Sequence, residues 1–188
     1  MADSSSNSNT QSGDEQQQHL RCLSLALSEA RKSPPKPTNY CVGAVLVDPS
    51  LPSSPSQVIA TGYTLELPGN THAEQCCLLK LCSQYSCAEE DLPFHLPDSL
   101  VLYTTMEPCS HRLSGNLPCA ERIAKIGREK IKTVVVGVAE PETFVKENTG
   151  RKRLMDVGIE FVHVEGLARE IIEVATVGHE KKGDERAL

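Results

Sequence analysis

His72 and Glu74 stand two positions apart in THAEQCC, and Cys109 and Cys119 follow in MEPCSHRLSGNLPC. One imidazole, one carboxylate and two thiols make up the working groups of a catalytic zinc site, where three protein ligands hold the ion and a fourth position stays open to water. His72, Cys109 and Cys119 are the candidate ligands for one Zn2+ per chain, and Glu74 is the candidate catalytic proton carrier. The two thiols are separated by nine residues and both lie far downstream of the imidazole. Any fold that uses them must therefore fold a loop back onto a distant helix start.

The rest of the chain has to supply that fold. At 188 residues with 39 % apolar side chains, one domain with a substantial core is expected. The first eighteen residues, MADSSSNSNTQSGDEQQQ, bury too little apolar surface to offset the entropy of ordering and read as a disordered tail, which leaves 19–188 as the zinc-dependent domain. No apolar run reaches membrane-spanning length, and the N-terminus lacks a secretion signal, so a soluble, intracellular and cytoplasmic protein is expected. The eight cysteines are scattered through a chain too long for a stapled mini-protein and read as reduced thiols. A net charge of −6 with no Trp and 4 % aromatics argues against nucleic acid as a partner and for a small anionic or neutral substrate.

Apolar spacing places a first helix over about residues 15 to 32, ended by Pro34, Pro35 and Pro37. YCVGAVLVD and QVIATGYT read as two strands joined by the proline-rich loop PSLPSSPS. A core helix capped by Asn70 or Thr71 runs to about Ser83, with His72 and Glu74 in its first turn. LVLYTTMEP is a third strand, Cys119 opens a helix that Gly127 closes, and IKTVVVGVA is a fourth strand. A short helix over Gly150 to Asp156, the strand GIEFVHV and a helix from Leu167 to about His179 complete the chain. Such alternation gives an α/β fold, a three-layer α/β/α sandwich around a mixed five-stranded sheet.

Each functional assignment has a structural competitor. Thr71 through Glu74 also fit a capping box, with Glu74 bonding back to the cap. Cys109 and Cys119, after a strand and at a helix start, sit where helix N-termini favour thiolate. A fourth ligand from His111 or Cys76 would make the site a structural zinc finger, hence a non-catalytic zinc-stabilised binding module, and leave Glu74 without a role. Two thiolates and one imidazole bring zinc to a nominal charge of zero, which still acidifies water enough for Glu74 to move its proton to a leaving amine. That is the shuttle of hydrolytic deamination. Arg112, beside the thiolate loop, reads equally as a phosphate partner or as a solvated charge. Lys146, Arg151, Lys152 and Arg153 form a basic run, and such runs usually make a solvated face.

The layout resembles the zinc deaminases, which carry His-x-Glu, then Pro-Cys and a second Cys, although those keep two residues between the thiols where this chain has nine. Asn39 followed by VGAVLVD, then GNTHAE, TTMEPCSH with a later PC, and a final VGV before an acidic residue are more specific. Over residues 20 to 165 they resemble the deaminase domain of riboflavin biosynthesis, the diaminohydroxyphosphoribosylaminopyrimidine deaminase, within the cytidine deaminase-like superfamily. The resemblance implies hydrolysis of a diaminopyrimidinone with a phosphorylated ribosyl or ribityl chain to the aminouracil and ammonia. It also implies a homodimer, and substrate contacts at Asn39, the backbone of Ala73, His111 and the acidic Glu140. Gly62, Tyr63 and Thr64 replace the bacterial Gly-x-His, and the Leu113 to Asn116 loop is closer to the fungal branch, which favours the ribitylamino phosphate. The chain ends at Leu188 without a reductase, so reduction is expected of another protein. The competing enzyme class is a nucleobase, cytidine or tRNA adenosine deaminase.

Overall fold

The computed structural model describes residues 7–52, 57–139 and 149–179, with side chains from residue 13 onward. Its elements in chain order are α1 Asn7–Ala30, β1 Gly43–Val47, β2 Val58–Tyr63, α2 Ala73–Tyr85, a 3-10 turn at Leu92–Phe94, β3 Leu100–Met106, α3 Cys119–Ile126, β4 Ile131–Val138, α4 Gly150–Asp156, β5 Glu160–His163 and α5 Ala168–Ala175. The five strands form one sheet in the order β2-β1-β3-β4-β5. β1 pairs antiparallel with β2 and β3, and the β3–β4 and β4–β5 pairs are parallel. The expected mixed sheet is present.

Strand alternation sorts the core into two halves. Ala44, Leu46, Leu102, Val134 and Val136 face α2, α3 and α4, where Leu78, Leu81, Ile123 and Leu154 are buried against them. Their neighbours Val45, Val47, Tyr103 and Val135 point the other way, onto Leu23 and Ala26 of α1. α5 completes that second layer by packing Ile171 and Ala175 with Leu27 and Ala30. Both sheet faces are covered, which is why the central strands read as unbroken apolar runs. Each fully buried Leu or Ile contributes about 1.5–3 kcal/mol to this packing.

Three boundaries differ from the sequence expectation. α1 begins at Asn7 and takes in polar residues read as tail. Residues 13–18 are exposed, and extending an existing helix fixes only one residue per added hydrogen bond, so no apolar stripe is required. α2 starts at Ala73 with His72 at its N-cap, one residue later than a Thr71 cap would give. Thr71 Oγ1 instead donates to the Leu67 carbonyl at 2.7 Å and accepts from the Leu67 N–H at 3.2 Å. α5 ends at Ala175, and turns carry the backbone on to His179. No described helix is long and apolar enough to cross a membrane.

Candidate active site

The C-terminal end of β3 and the starts of α2 and α3 meet at one point. Gly62 in β2 lets α2 come in close, since a Cβ there would stand 2.2 Å from the Ala73 carbonyl oxygen. That approach seats His72 and Glu74 beside the sheet. β3 stops at Met106, and the Glu107 N–H donates to the Val138 carbonyl at 2.9 Å, so the chain leaves the sheet in register with β4 before turning through Pro108 to Cys109. The first N–H groups of α3 then point at Cys109: Cys119 N–H donates to its Sγ at 3.4 Å and Ala120 N–H to its carbonyl at 3.1 Å. Donors at a helix N-terminus favour the thiolate.

His72 Nδ1 lies 3.5 Å from Cys109 Sγ and 3.6 Å from Cys119 Sγ, and all three ligand atoms fall within 4.8 Å of one another. A tetrahedral ion with bonds of about 2.0 Å to nitrogen and about 2.3 Å to sulfur would hold such atoms about 3.5 Å apart, so the donor set fits zinc in spacing as well as in chemistry. The hydrogen bond from Cys119, followed by the His72 ring, holds the Cys109 thiol well below the ordinary thiol range. The same bond to Cys109, together with burial, pushes the Cys119 thiol up. Among the described residues this ligand group contains neither His111 nor Cys76, so a fourth protein ligand of the zinc-finger kind is not supplied by either.

Glu74 is 3 % exposed and lines the same cavity as His72 and Cys109. Burial first, and the neighbouring Cys109 charge second, raise its carboxyl above the ordinary carboxylate value. The capping competitor does not hold. With His72 at the N-cap, the reciprocal position is Gln75, whose Oε1 accepts from the His72 N–H at 3.4 Å. Glu74 is thereby left facing the cavity.

That cavity has a volume of about 700 Å³. Asn39, His111 and Arg112, named from the sequence as substrate contacts, line it. Ala73 is buried in the first turn of α2 and is not part of the lining. Glu140 lies outside the described residues, as does Lys146. Arg112 is not a solvated charge: it is 6 % exposed, its Nη1 donates to Gln75 Oε1 at 2.9 Å and its Nη2 donates to the Asn70 carbonyl. It thus ties the thiolate loop to residues on both sides of His72. Its Nε is buried without a partner. The described part of the basic run, Arg151 to Arg153, behaves as a solvated face. Lys152 pairs with Asp156 at 2.6 Å, Arg153 with Glu121 at 2.7 Å, and Arg151 stacks 5.2 Å above the Phe161 ring.

Sequence reasoning passed over several residues that build the site. Asn70 adopts the left-handed conformation that Asn tolerates (φ 54°), and its Oδ1 accepts from Asn39 Nδ2 at 2.9 Å. Gln75 was hidden by Glu74, because a helix start placed one residue too early assigns the box to the wrong side chain. Lys36 and Glu107 also line the cavity. His179, which matches no sequence pattern, contacts the Asn39 carbonyl at 3.1 Å.

Comparison with known proteins agrees with this geometry. The family profile described as the cytidine and deoxycytidylate deaminase zinc-binding region matches residues 16–138. A curated relative, the diaminohydroxyphosphoribosylamino-pyrimidine deaminase of Schizosaccharomyces pombe, is 35 % identical over 164 residues, or 87 % of this chain, and the chain spans 36 % of that relative's length. The crystal structure of the Aspergillus oryzae Rib2 deaminase in complex with DARIPP, a C-terminal deletion mutant, superposes with a TM-score of 0.77 at 46 % identity, covering 86 % of this chain and 92 % of that one. The Thermotoga maritima diaminohydroxyphosphoribosylaminopyrimidine deaminase/5-amino-6-(5-phosphoribosylamino)uracil reductase gives a TM-score of 0.66 at 26 % identity over 87 % of this chain and 41 % of that one. With its ligand set in place and these relatives around it, the chain belongs to the cytidine and deoxycytidylate deaminase family, in the branch of the diaminohydroxyphosphoribosylaminopyrimidine deaminases.

Proposed function

We propose that this protein hydrolytically deaminates 2,5-diamino-6-ribitylamino-pyrimidinone phosphate, in preference to the ribosylamino form, as a step of riboflavin biosynthesis. Water and the ring C–NH2 become a ring carbonyl and ammonia. The observation that carries this reading is the buried Glu74 beside the His72, Cys109 and Cys119 donors in a cavity whose wall also carries Lys36, His111 and Arg112. Zinc held by those three residues would supply an acidified water at neutral pH. Glu74 takes a proton from the attacking water and delivers it to the amine as it leaves, and its raised proton affinity suits a group that must both accept and donate. The low-dielectric surroundings of the carboxylate strengthen both transfers.

The substrate roles are carried over from the family resemblance. Asn39 is assigned to the pyrimidine or its sugar, the Ala73 backbone to the ring, and His111 to the phosphorylated chain; Asn39 and His111 line the cavity, and Lys36 adds a further cation there. Arg112 already gives one N–H of each terminal nitrogen to Gln75 and the Asn70 carbonyl, so phosphate would meet a guanidinium with part of its donor set engaged. Glu140 is retained as an acidic substrate contact from the family pattern. The zinc-dependent domain is taken as 19–188, with α1 running back from it to Asn7, and the protein is read as an intracellular homodimer. Offering both pyrimidinone phosphates to the purified protein and following ammonia tests the reading. Release from the ribityl compound at the higher kcat/KM is expected; release from neither would overturn it, and preference for the ribosyl compound would reverse the pathway order.

A further inference from the structure

One part of the cavity wall is formed by five consecutive residues, Lys36 to Tyr40. They contain one isolated bridge, Lys36 to Asn39, and no helix or strand, so their position has to be set by what they pack against. The C-terminal turn packs against them. The Ala175 carbonyl, at the end of α5, accepts from the Cys41 N–H at 2.9 Å. Gly178 then comes so close that a Cβ would stand 2.4 Å from the Lys36 nitrogen and 2.8 Å from the Lys36 carbonyl oxygen. Both are backbone atoms and cannot swing aside. At the next residue, His179 Nε2 donates to the Asn39 carbonyl at 3.1 Å, and its ring centroid lies 4.7 Å from that of Tyr40. Neither Gly178 nor His179 lines the cavity.

We infer that Gly178 and His179 are positioning residues: the turn 176–179 braces the Lys36–Tyr40 wall and so fixes where Asn39 presents its carboxamide to substrate. The inference rests on the deaminase reading above. At Asn39 the wall is held by this brace on its carbonyl and by the Asn39 to Asn70 side-chain bond that leads to His72. α5 itself is held by the core through Ile171 and Ala175, so the brace has a rigid base. Loosening it should move the wall and leave the zinc ligands where they are.

Gly178→Ala, His179→Ala and His179→Gln in the full chain test this, with zinc content, kcat, KM and hydrogen exchange of the 36–41 segment measured on each. Gly178→Ala and His179→Ala should raise KM about tenfold, the size of one lost hydrogen bond, with zinc content and kcat near wild type and faster exchange at the Asn39 and Cys41 amides. His179→Gln, whose amide nitrogen can stand where Nε2 stands, should restore KM. Unchanged KM and exchange in both disruptive variants would overturn the inference, as would loss of zinc with an undisturbed wall. If Gly178→Ala does not fold, the two His179 variants decide. If the wild type deaminates neither pyrimidine, the functional reading fails separately, and exchange at 36–41 alone then supports or overturns the brace.

Discussion

The floor and the rim of the cavity are built on different principles. On the floor, His72, Glu74, Cys109 and Cys119 come from helix starts and a strand end, and Glu74, Cys109 and Cys119 are all buried. On the rim, Lys36 to Tyr40 and His111 to Ser114 come from loops, and most of them are exposed, with Arg112 the buried exception. Chemistry that needs fixed geometry is placed on elements the core cannot easily move, and substrate choice is left to loops that can vary without unfolding the sheet. Arg112 joins the two, since it belongs to the rim in sequence and to the floor in its contacts.

Breaking the floor should cost most. Cys109→Ser removes one of two sulfurs from the ligand set, so metal analysis should find little zinc and the ammonia assay no turnover. Retention of a full equivalent of zinc would remove Cys109 from the site. Glu74→Gln is expected to keep zinc and fold while kcat drops by about 10²–10⁴, the usual contribution of a positioned acid–base group. Activity within a few-fold of wild type would mean that another group carries the proton.

Much of this contrast was legible in the residues alone. The strands were, because Val134, Val135 and Val136 are buried from both sides and leave no polar face to confuse the pattern. The ligand set was legible as residue types, since imidazole and thiols beside an unliganded carboxylate have little other use. Its cap was not. Glu74 and Gln75 are adjacent and either satisfies a box, and only the packing of α2 onto Gly62 decides where the helix starts. The fate of Arg112 was equally hidden, because burial of a loop guanidinium depends on the Asn70 carbonyl and Gln75, which lie far away in sequence. The partners of His179 are more distant still and leave no local trace.

The joint between floor and rim can be probed in turn. Arg112→Ala should lower the denaturant midpoint by an amount equal to about 1–3 kcal/mol, because the Asn70 carbonyl and Gln75 lose a buried donor. It should also weaken zinc retention against a chelator. An unchanged midpoint would show that these bonds do not hold the loop. Smallest of all, His111→Ala on the exposed rim is expected to raise KM by about threefold to tenfold and leave zinc content and kcat alone. A matching fall in kcat would place His111 with the floor.

The proposed chemistry depends most on three protein atoms, one nitrogen and two sulfurs, sharing a single ion with an open position. X-ray absorption at the zinc edge of the purified protein reads that directly. It should give two sulfurs at about 2.3 Å and two lighter atoms, nitrogen and oxygen, at about 2.0–2.1 Å. A shell of three or more sulfurs, or of none, would contradict it.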